Sequence, residues 1–485
     1  MKEYVEKILH YTAGSLLQKI ILLLLLPVFT HFLIPQEYAV YTNLVVFISF
    51  ASLLYFLGFQ QALFSYFYQE KTPEYHFTLI SSIFIVITAF GIVLSLIIIG
   101  FRVELSQIIL RTKEFAHIMV WVSVILFFEV IYGMVLSVLN MMELSKQYIL
   151  VGNFKHILLF ILLVIAAAVS KFSLDTIFIL MTISSGLAAL VAVAVMGSIM
   201  QKFAQQIDQR KIFSTPIVKK MLAFGLIMIP GTFAMLILKV SDRYMLTYLS
   251  ARSLYDVGIY AIGYRVGMII TFLNSIVSLV YFPYAMRVAD VSRAKESFKK
   301  VFNVYVIFGG LLGFFVILFS PEIFKIFINK SYHEAVKVVF FGVISNYLYG
   351  IFNIINLSFY VRKRAGNIAL AVGLGAILNI VLNFMLIPKY GIYGAGVASI
   401  FAFGLIVVFN FIIAEKTYTV GYNFLSVIIP VILLLLIAIV PFFVHYELYQ
   451  TFIKIAILCI VSIFAYTHFK RTGKISQLLH QSESN

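Results

Sequence analysis

The sequence predicts an all-α polytopic membrane protein: about 14 transmembrane helices, arranged as two pseudo-symmetric six-helix lobes plus a C-terminal helix pair. Three observations predict it. Apolar runs of ~20 residues, the length that crosses a bilayer as a helix, recur along the whole chain. The composition agrees: 62% hydrophobic, 12% charged, mean hydropathy +1.04, more apolar surface than a soluble core needs. The runs are continuous rather than alternating over ~10 residues, which speaks against a β-barrel. A weak repeat at an offset of six spans then relates two halves of the chain.

Taken in order, the spans fall near 12–33, 40–60, 77–101, 115–139, 148–169, 174–200, 217–239, 257–281, 300–320, 336–361, 367–387, 394–414, 424–444 and 450–469. The first run is too long for the apolar core of a signal peptide and lacks a small-residue cleavage site, so it reads as a retained helix. Connections are short, and none can hold a soluble domain. The longest polar stretches are 201–216 and 283–299. Alternating the loops places 21 of the 36 Lys and Arg residues on the side of both termini and 10 on the other. Positive charge stays inside, so both termini are expected in the cytoplasm of a multi-pass inner (cytoplasmic) membrane protein. The net charge of +16 then reflects cytoplasmic loops, not nucleic-acid binding.

The repeat defines the lobes. Glu37-Tyr38-Ala39-Val40-Tyr41 precedes span 2, and Asp256-Val257-Gly258-Ile259-Tyr260 precedes span 8. Gly152-Asn153 opens span 5 after a basic loop, as Gly366-Asn367 does span 11. Pro27 in span 1 and Pro230 in span 7 both fall near mid-membrane. An even offset keeps the two halves in the same orientation. The boundaries expected are 1–200 for the N-terminal lobe, 201–216 for a cytoplasmic linker, 217–414 for the C-terminal lobe, and 415–485 for the extra helix pair and tail.

Proline-interrupted spans in matching positions of two halves point to a transporter's site, and Pro27, Pro230 and Gly231 are the expected hinges; ordinary proline kinks are the alternative. Charge within spans points the same way. Arg265 lies about a third to halfway across span 8, at ~1.5 Å per residue. It faces either a wet cavity or an ion pair with Glu129 in span 4. Lys19, about two turns into span 1 and beside Gln18, either snorkels to the interface or faces the cavity. Lys155 enters span 5 from the inside, as ligand or anchor. Lys239, Asp242 and Arg243, near the outer end of span 7, form an interfacial ion cluster or a cavity rim. Glu129 and Asp242 are the candidate coupling carboxylates. Asn43, Gln60, Gln61, Asn274, Asn379 and Asn383 read as polar glue between helices. Cations outnumber acids within the spans. A cavity so lined attracts a phosphate or diphosphate and repels organic cations.

Other chemistries find no support. The chain lacks a P-loop, a His-Glu-x-x-His and a Gly-x-Ser-x-Gly, so neither an enzyme nor an ATP-driven pump is expected. Nine scattered histidines and the single Cys459 leave no metal site, intramolecular disulfide or cofactor to expect. Transport then runs on a gradient of H+ or Na+, on membrane potential, or on the substrate's own gradient.

Three stretches carry a family likeness: Ser241-Asp242-Arg243-Tyr244-Met245-Leu246 followed by Val257-Gly258-Ile259-Tyr260; Leu378-Asn379-Ile380-Val381-Leu382-Asn383 through Ile387-Pro388-Lys389-Tyr390-Gly391-Ile392-Tyr393-Gly394-Ala395-Gly396; and Phe32-Leu33-Ile34-Pro35-Gln36-Glu37-Tyr38-Ala39. In order and spacing the chain resembles the oligosaccharide (O-unit) flippases of bacterial polysaccharide biosynthesis, within the multidrug/oligosaccharidyl-lipid/polysaccharide exporter superfamily. The resemblance implies translocation of an undecaprenyl-diphosphate-linked oligosaccharide from inner to outer leaflet by alternating access, for surface polysaccharides such as lipopolysaccharide O-antigen. It implies that Lys19, Arg265 and either Lys239 or Arg243 line a cavity for the diphosphate. It also implies that the lipid tail stays among membrane lipids, with the last two spans as its groove. Other polysaccharide-assembly proteins are the expected partners. A lipid II flippase and a cation-coupled multidrug exporter of the same superfamily are the alternatives.

Overall fold

The computed structural model describes residues 2–207, 211–282, 285, 294–362 and 364–438. Among these every regular element is a helix. Eleven helices are long and apolar enough to cross a membrane, and two shorter apolar stretches, Leu16–Phe32 and Leu425–Ile437, join them in matching the first thirteen expected spans. The fourteenth, 450–469, lies outside the described residues, as do Cys459 and most of the basic stretch 283–299.

By contact the chain divides into two compact units, Met1–Gly258 and Ile259–Asn485. The first begins with α1 (Lys2–Phe32) and α2 (Pro35–Phe56). Pro35 opens α2 without losing a hydrogen bond, because the first amides of a helix have no partner within it, and Glu37 accepts from the Ile34 amide at 3.0 Å. Leu57 and Gly58 take left-handed backbone, with φ of 50° and 71°, and turn the chain into α3 (Phe59–Tyr66). A Cβ on Gly58 would lie 2.4 Å from the Gly225 backbone, so two backbones touch there, which only glycine permits.

Next come α4 (Pro73–Gly100), α5 (Arg102–Leu110), α6 (Ile118–Met141), α7 (Ser145–Ala168) and α8 (Leu174–Ala204). Thr72 caps α4 by accepting from the Tyr75 amide, and Ser173 caps α8 by accepting from the Thr176 amide. α6 packs between α4 and α8, and α1 packs on α7. α9 (Thr215–Leu249) packs on α2 and α3, so by contact it belongs to this unit.

α10 (Leu254–Gly267) carries the chain into the second unit. Its first turn holds Asp256, as that of α2 holds Glu37, and a carboxylate suits the positive end of a helix. The two repeat motifs also meet, since a Cβ on Gly258 would fall 2.0 Å from the Pro35 carbonyl oxygen.

The second unit is less regular. After α10 come a 3₁₀ turn at Met268–Ile270, α11 (Thr271–Ile276) and a π turn at Val277–Tyr281. α12 (Ala294–Leu318), α13 (Ser320–Phe327), a 3₁₀ stretch at Lys330–Val338, α14 (Val339–Val361), α15 (Ala365–Tyr390), α16 (Ile392–Thr417) and α17 (Leu425–Ile437) complete it. α14 is the centre, packed on α12, α11 and α16. Tyr305 on α12 donates to the Asn274 side chain at 2.6 Å, and Asn274 donates to the Asn346 carbonyl at 3.0 Å, which fastens α11 to both neighbours.

The helices run unbroken through both expected hinge prolines, Pro27 in α1 and Pro230 in α9. A proline removes one backbone bond, and such helices tolerate it where neighbouring hydroxyls and packing make up the loss. The carbonyls left free are those of Leu23 and Leu226; the nearby Thr30 and Thr232 hydroxyls bond other carbonyls, those of Pro27 at 3.1 Å and Met228 at 3.2 Å. The interrupted helical path lies instead between Met268 and Tyr281.

Candidate functional site

The first unit gathers most of the charged candidates. On α6, α7 and α8 a polar triad sits at span depth. Glu129 accepts from Lys155 Nζ at 2.5 Å and from Ser185 Oγ at 3.0 Å. The side chains of Lys155 and Glu129 are only 14% and 24% exposed, so the pair is largely withdrawn from solvent. Lys155 Nζ also lies 5.3 Å above the Tyr132 ring. Tyr132 donates to the Gly152 carbonyl at 2.9 Å, and Gln18 donates to the same carbonyl at 3.1 Å, which ties in α1. The partner of Glu129 is therefore Lys155, where the sequence reading offered Arg265.

Lys19 is half-buried on α1, one residue beyond that tie. It lies within electrostatic reach of Lys239 on α9, itself exposed. Two of the candidate cations thus face one another.

One turn beyond Lys239 the α2–α9 seam is polar. Asp242 is 2% exposed and Arg243 is 8% exposed. Arg243 Nη1 donates to the Lys239 carbonyl at 3.4 Å, its Nε is buried without a partner, and no carboxylate among the described residues pairs with it. Thr247 closes the turn above it, donating to the Arg243 carbonyl at 2.9 Å and accepting from Asn43 at 2.8 Å. Tyr244 donates to the Asn43 carbonyl at 3.0 Å. A buried guanidinium with a single carbonyl partner is costly, and an anion would relieve the cost. Beyond the end of α9, Arg252 pairs with Asp256 at 2.6 Å.

The same unit carries an apolar groove of about 730 Å³ between α1 and α7, lined by Leu17, Ile149, Leu150, Ile157 and Ile161, with Lys146 and Asn153 as its polar members. Between α3 and α4, burial and the nearby Glu143 carboxylate raise the Tyr68 phenol, which stays neutral and donates to the Met141 carbonyl.

In the second unit Arg265 is half-buried on α10, ahead of the irregular Met268–Tyr281 path. Asn379 and Asn383, one turn apart on α15, bond to each other at 3.0 Å. A cavity of about 210 Å³ opens between the π turn and α14, lined by Ser278, Phe282, Asn353, Asn356 and Tyr360 with Val277 and Leu357.

Comparison with known proteins decides the family. A family model described as "Polysaccharide biosynthesis protein" matches residues 4–289, more than half of the chain. The chain belongs to the polysaccharide biosynthesis protein family. The uncharacterized membrane protein MJ1068 of Methanocaldococcus jannaschii is 26% identical over 244 residues, 47% of this chain and 46% of that protein. The chain thus spans about half the length of this curated relative. Among solved structures, lipid II flippase MurJ in an inward closed conformation superposes with a TM-score of 0.74 at 15% identity, covering 95% of this chain and 99% of that one. A multidrug resistance MATE family transporter of the MOP superfamily, in an inward-facing conformation, gives 0.63 at 12% identity, covering 83% and 96%. At such identities the likeness is one of fold.

In this polysaccharide biosynthesis protein, the sequence reading anticipated several cross-helix polar bonds. Asn43 reaches Thr247, Gln60 reaches Ser137 at 3.2 Å, and Asn274 reaches Asn346. It did not single out Ser185 and Tyr132 around the Lys155 pair, or the polar face of α14. The latter was readable: Asn353, Asn356 and Tyr360 stand at i, i+3 and i+7, one side of a helix.

Proposed function

We propose that this protein is a flippase that carries an undecaprenyl-diphosphate-linked oligosaccharide from the inner to the outer leaflet of the bacterial cytoplasmic membrane. The two lobes alternate in access, and the work is transport rather than catalysis. Arg243 carries the reading: a guanidinium more than nine-tenths buried, on a membrane helix, without a carboxylate partner among the described residues. A diphosphate supplies the missing acceptors in the bidentate geometry that arginine favours. Lys19 and Lys239, within electrostatic reach of each other, add positive charge to the same unit. Arg265 is the candidate cation of the second unit, and Lys155 stays with Glu129 as a positioning pair.

The physics favours this division. A bare diphosphate in hydrocarbon costs far more than thermal energy, whereas cations in a wet cavity replace its water shell. The prenyl tail remains in lipid, and the apolar α1–α7 groove supports a tail path beside Lys19. Release follows when the lobes reopen outward with a weaker hold on the anion, driven by potential or by H+ or Na+. Asp242, and Glu129 once it releases Lys155, are our candidate carboxylates for such an ion. A drug exporter for organic cations is less well served, because Glu129 is already bonded to Lys155 and Ser185.

The test is glycan export in a host that lacks its own O-unit flippase. Arg243→Ala and Arg265→Ala are expected to lower export at least ~100-fold, about 2.7 kcal/mol, with normal membrane levels. Full export by both variants at normal levels would overturn the assignment.

A further inference from the structure

The cavity beside the π turn has properties that the diphosphate site does not need. Its polar lining among the described residues is neutral: two carboxamides, a serine and a phenol, with no charged residue. Asn356 is 4% exposed. One end of its amide is bonded to Asn410 at 2.6 Å, and its other end has no partner among the described residues. The Asn353 side chain, the Ser278 hydroxyl and the Tyr360 hydroxyl likewise bond to no described residue. Asn410, fully buried behind Asn356, keeps one amide end unbonded. Ser278 and Tyr360 are exposed and Asn353 is half-buried, so these groups are open to solvent or to a ligand, while the buried amides Asn356 and Asn410 each keep one end without a described partner.

The walls narrow the ligand class. Phe282 and Tyr360 meet edge-to-face at 5.2 Å and form an aromatic side. An amide offers both donor and acceptor, which matches a hydroxyl or an N-acetyl group that also offers both. An aromatic face beside amides suits a sugar ring, apolar on its C–H face and polar at its rim. At about 210 Å³ the cavity is smaller than the roughly 300–1,000 Å³ of drug-sized sites, and so takes one ring rather than an oligosaccharide. Among the described residues no cation lines the pocket, and Arg362, two residues past Tyr360, lies over the Tyr418 ring at 5.0 Å. The π turn that forms one wall is a departure from α-helix often found at functional sites. The loop charges place this end of α14 on the cytoplasmic side, where a lipid-linked glycan would load.

We propose that this pocket in the second unit is a subsite for a single uncharged sugar ring of the lipid-linked glycan, read by Asn353, Asn356 and Tyr360. The proposal rests on the flippase reading above and adds to it a place where the glycan itself is sensed.

The full chain in nanodiscs is titrated with two probes: polyprenyl diphosphate alone, and polyprenyl diphosphate bearing one N-acetylhexosamine. The unmodified protein is expected to bind the sugar-bearing lipid about tenfold more tightly, the worth of one or two added hydrogen bonds. Asn353→Leu and Tyr360→Ala are each expected to erase that preference and leave affinity for the bare diphosphate unchanged. Asn353 makes no bond to the described protein, so its replacement removes no such contact from the fold. A preference that survives in both variants, or its absence in the unmodified protein, overturns the subsite. Failure of the unmodified protein to bind either lipid overturns the flippase reading itself.

Discussion

The two units solve the problem of polar groups in a membrane differently. In the first, charge is concentrated: Lys155 with Glu129, Lys19 within reach of Lys239, and Arg243 buried on α9. In the second, apart from Arg265, the polar groups at span depth are mostly amides and phenols: Asn274, Asn346 and Tyr305 fasten α11, Asn379 bonds Asn383, and Asn356 bonds Asn410. The helical path differs too. α1 and α9 continue as helix through their prolines, while the segment from Met268 to Tyr281 leaves the α-helical winding twice. Charges hold an anion strongly and without regard to its substituents. Amides hold weakly but distinguish one hydroxyl pattern from another. On the proposed function the contrast is a division of labour: the first unit would grip the diphosphate that every such lipid shares, and the second would read the sugar that varies.

The largest test of that contrast is charge reversal. Lys19→Glu places an anion beside Lys239 and is expected to lower export by more than ~100-fold, over about 2.7 kcal/mol, in an export assay normalised to membrane protein. The corresponding insult to the second unit, Asn353→Leu, should alter which glycans pass far more than how fast a preferred one does. Equal losses from both would erase the distinction.

Next in size is the seam of the first unit. Gly58→Ala forces an L side chain into left-handed backbone and against Gly225, at a cost of about 2 kcal/mol in denaturation of the detergent-solubilised protein. An unchanged midpoint would mean that the α2–α9 contact gives way freely.

The Glu129–Lys155 pair comes third. Glu129→Gln leaves an ammonium withdrawn from solvent with a weaker acceptor, and about 1–2 kcal/mol of stability should be lost. Lys155→Met is expected to cost much the same, and the double variant less than the sum of the two. If the singles add without coupling, the pair is not a structural unit. Transport by Glu129→Gln that keeps its dependence on pH and sodium would also remove Glu129 as the coupling carboxylate.

The smallest effect is expected for Asn410→Leu. Amide bonds between membrane helices are worth roughly 0.6 kcal/mol on average, because the unfolded chain in lipid finds other partners. A loss several times larger would show that the amides of the second unit hold its fold together, and that the pocket around Asn356 is a by-product.

Much of this was legible in the sequence. Length and continuity of apolar runs located thirteen spans that the structure shows as helices, since one physical requirement, backbone satisfaction in lipid, governs them all. The paired acids Glu37 and Asp256 announced two equivalent helix starts. Deep charge marked Lys19, Lys155 and Arg243, but not their partners. Glu129 meets Lys155 because α6 and α7 pack side by side, a fact of tertiary arrangement that spacing along the chain does not contain. The helices continue through both prolines, as the kink alternative allows, and the change of winding falls elsewhere, between Met268 and Tyr281. The π turn had no sequence mark of its own, and with it the neutral pocket escaped notice.

The most direct measurement is leaflet-to-leaflet transfer in proteoliposomes that contain only the purified chain. One lipid carries an N-acetylhexosamine on polyprenyl diphosphate; the other carries the same sugar on neutral polyprenol. Transfer of the diphosphate lipid alone, lost in Arg243→Ala, is the predicted result. Equal transfer of both lipids, or transfer indifferent to Arg243, would contradict it.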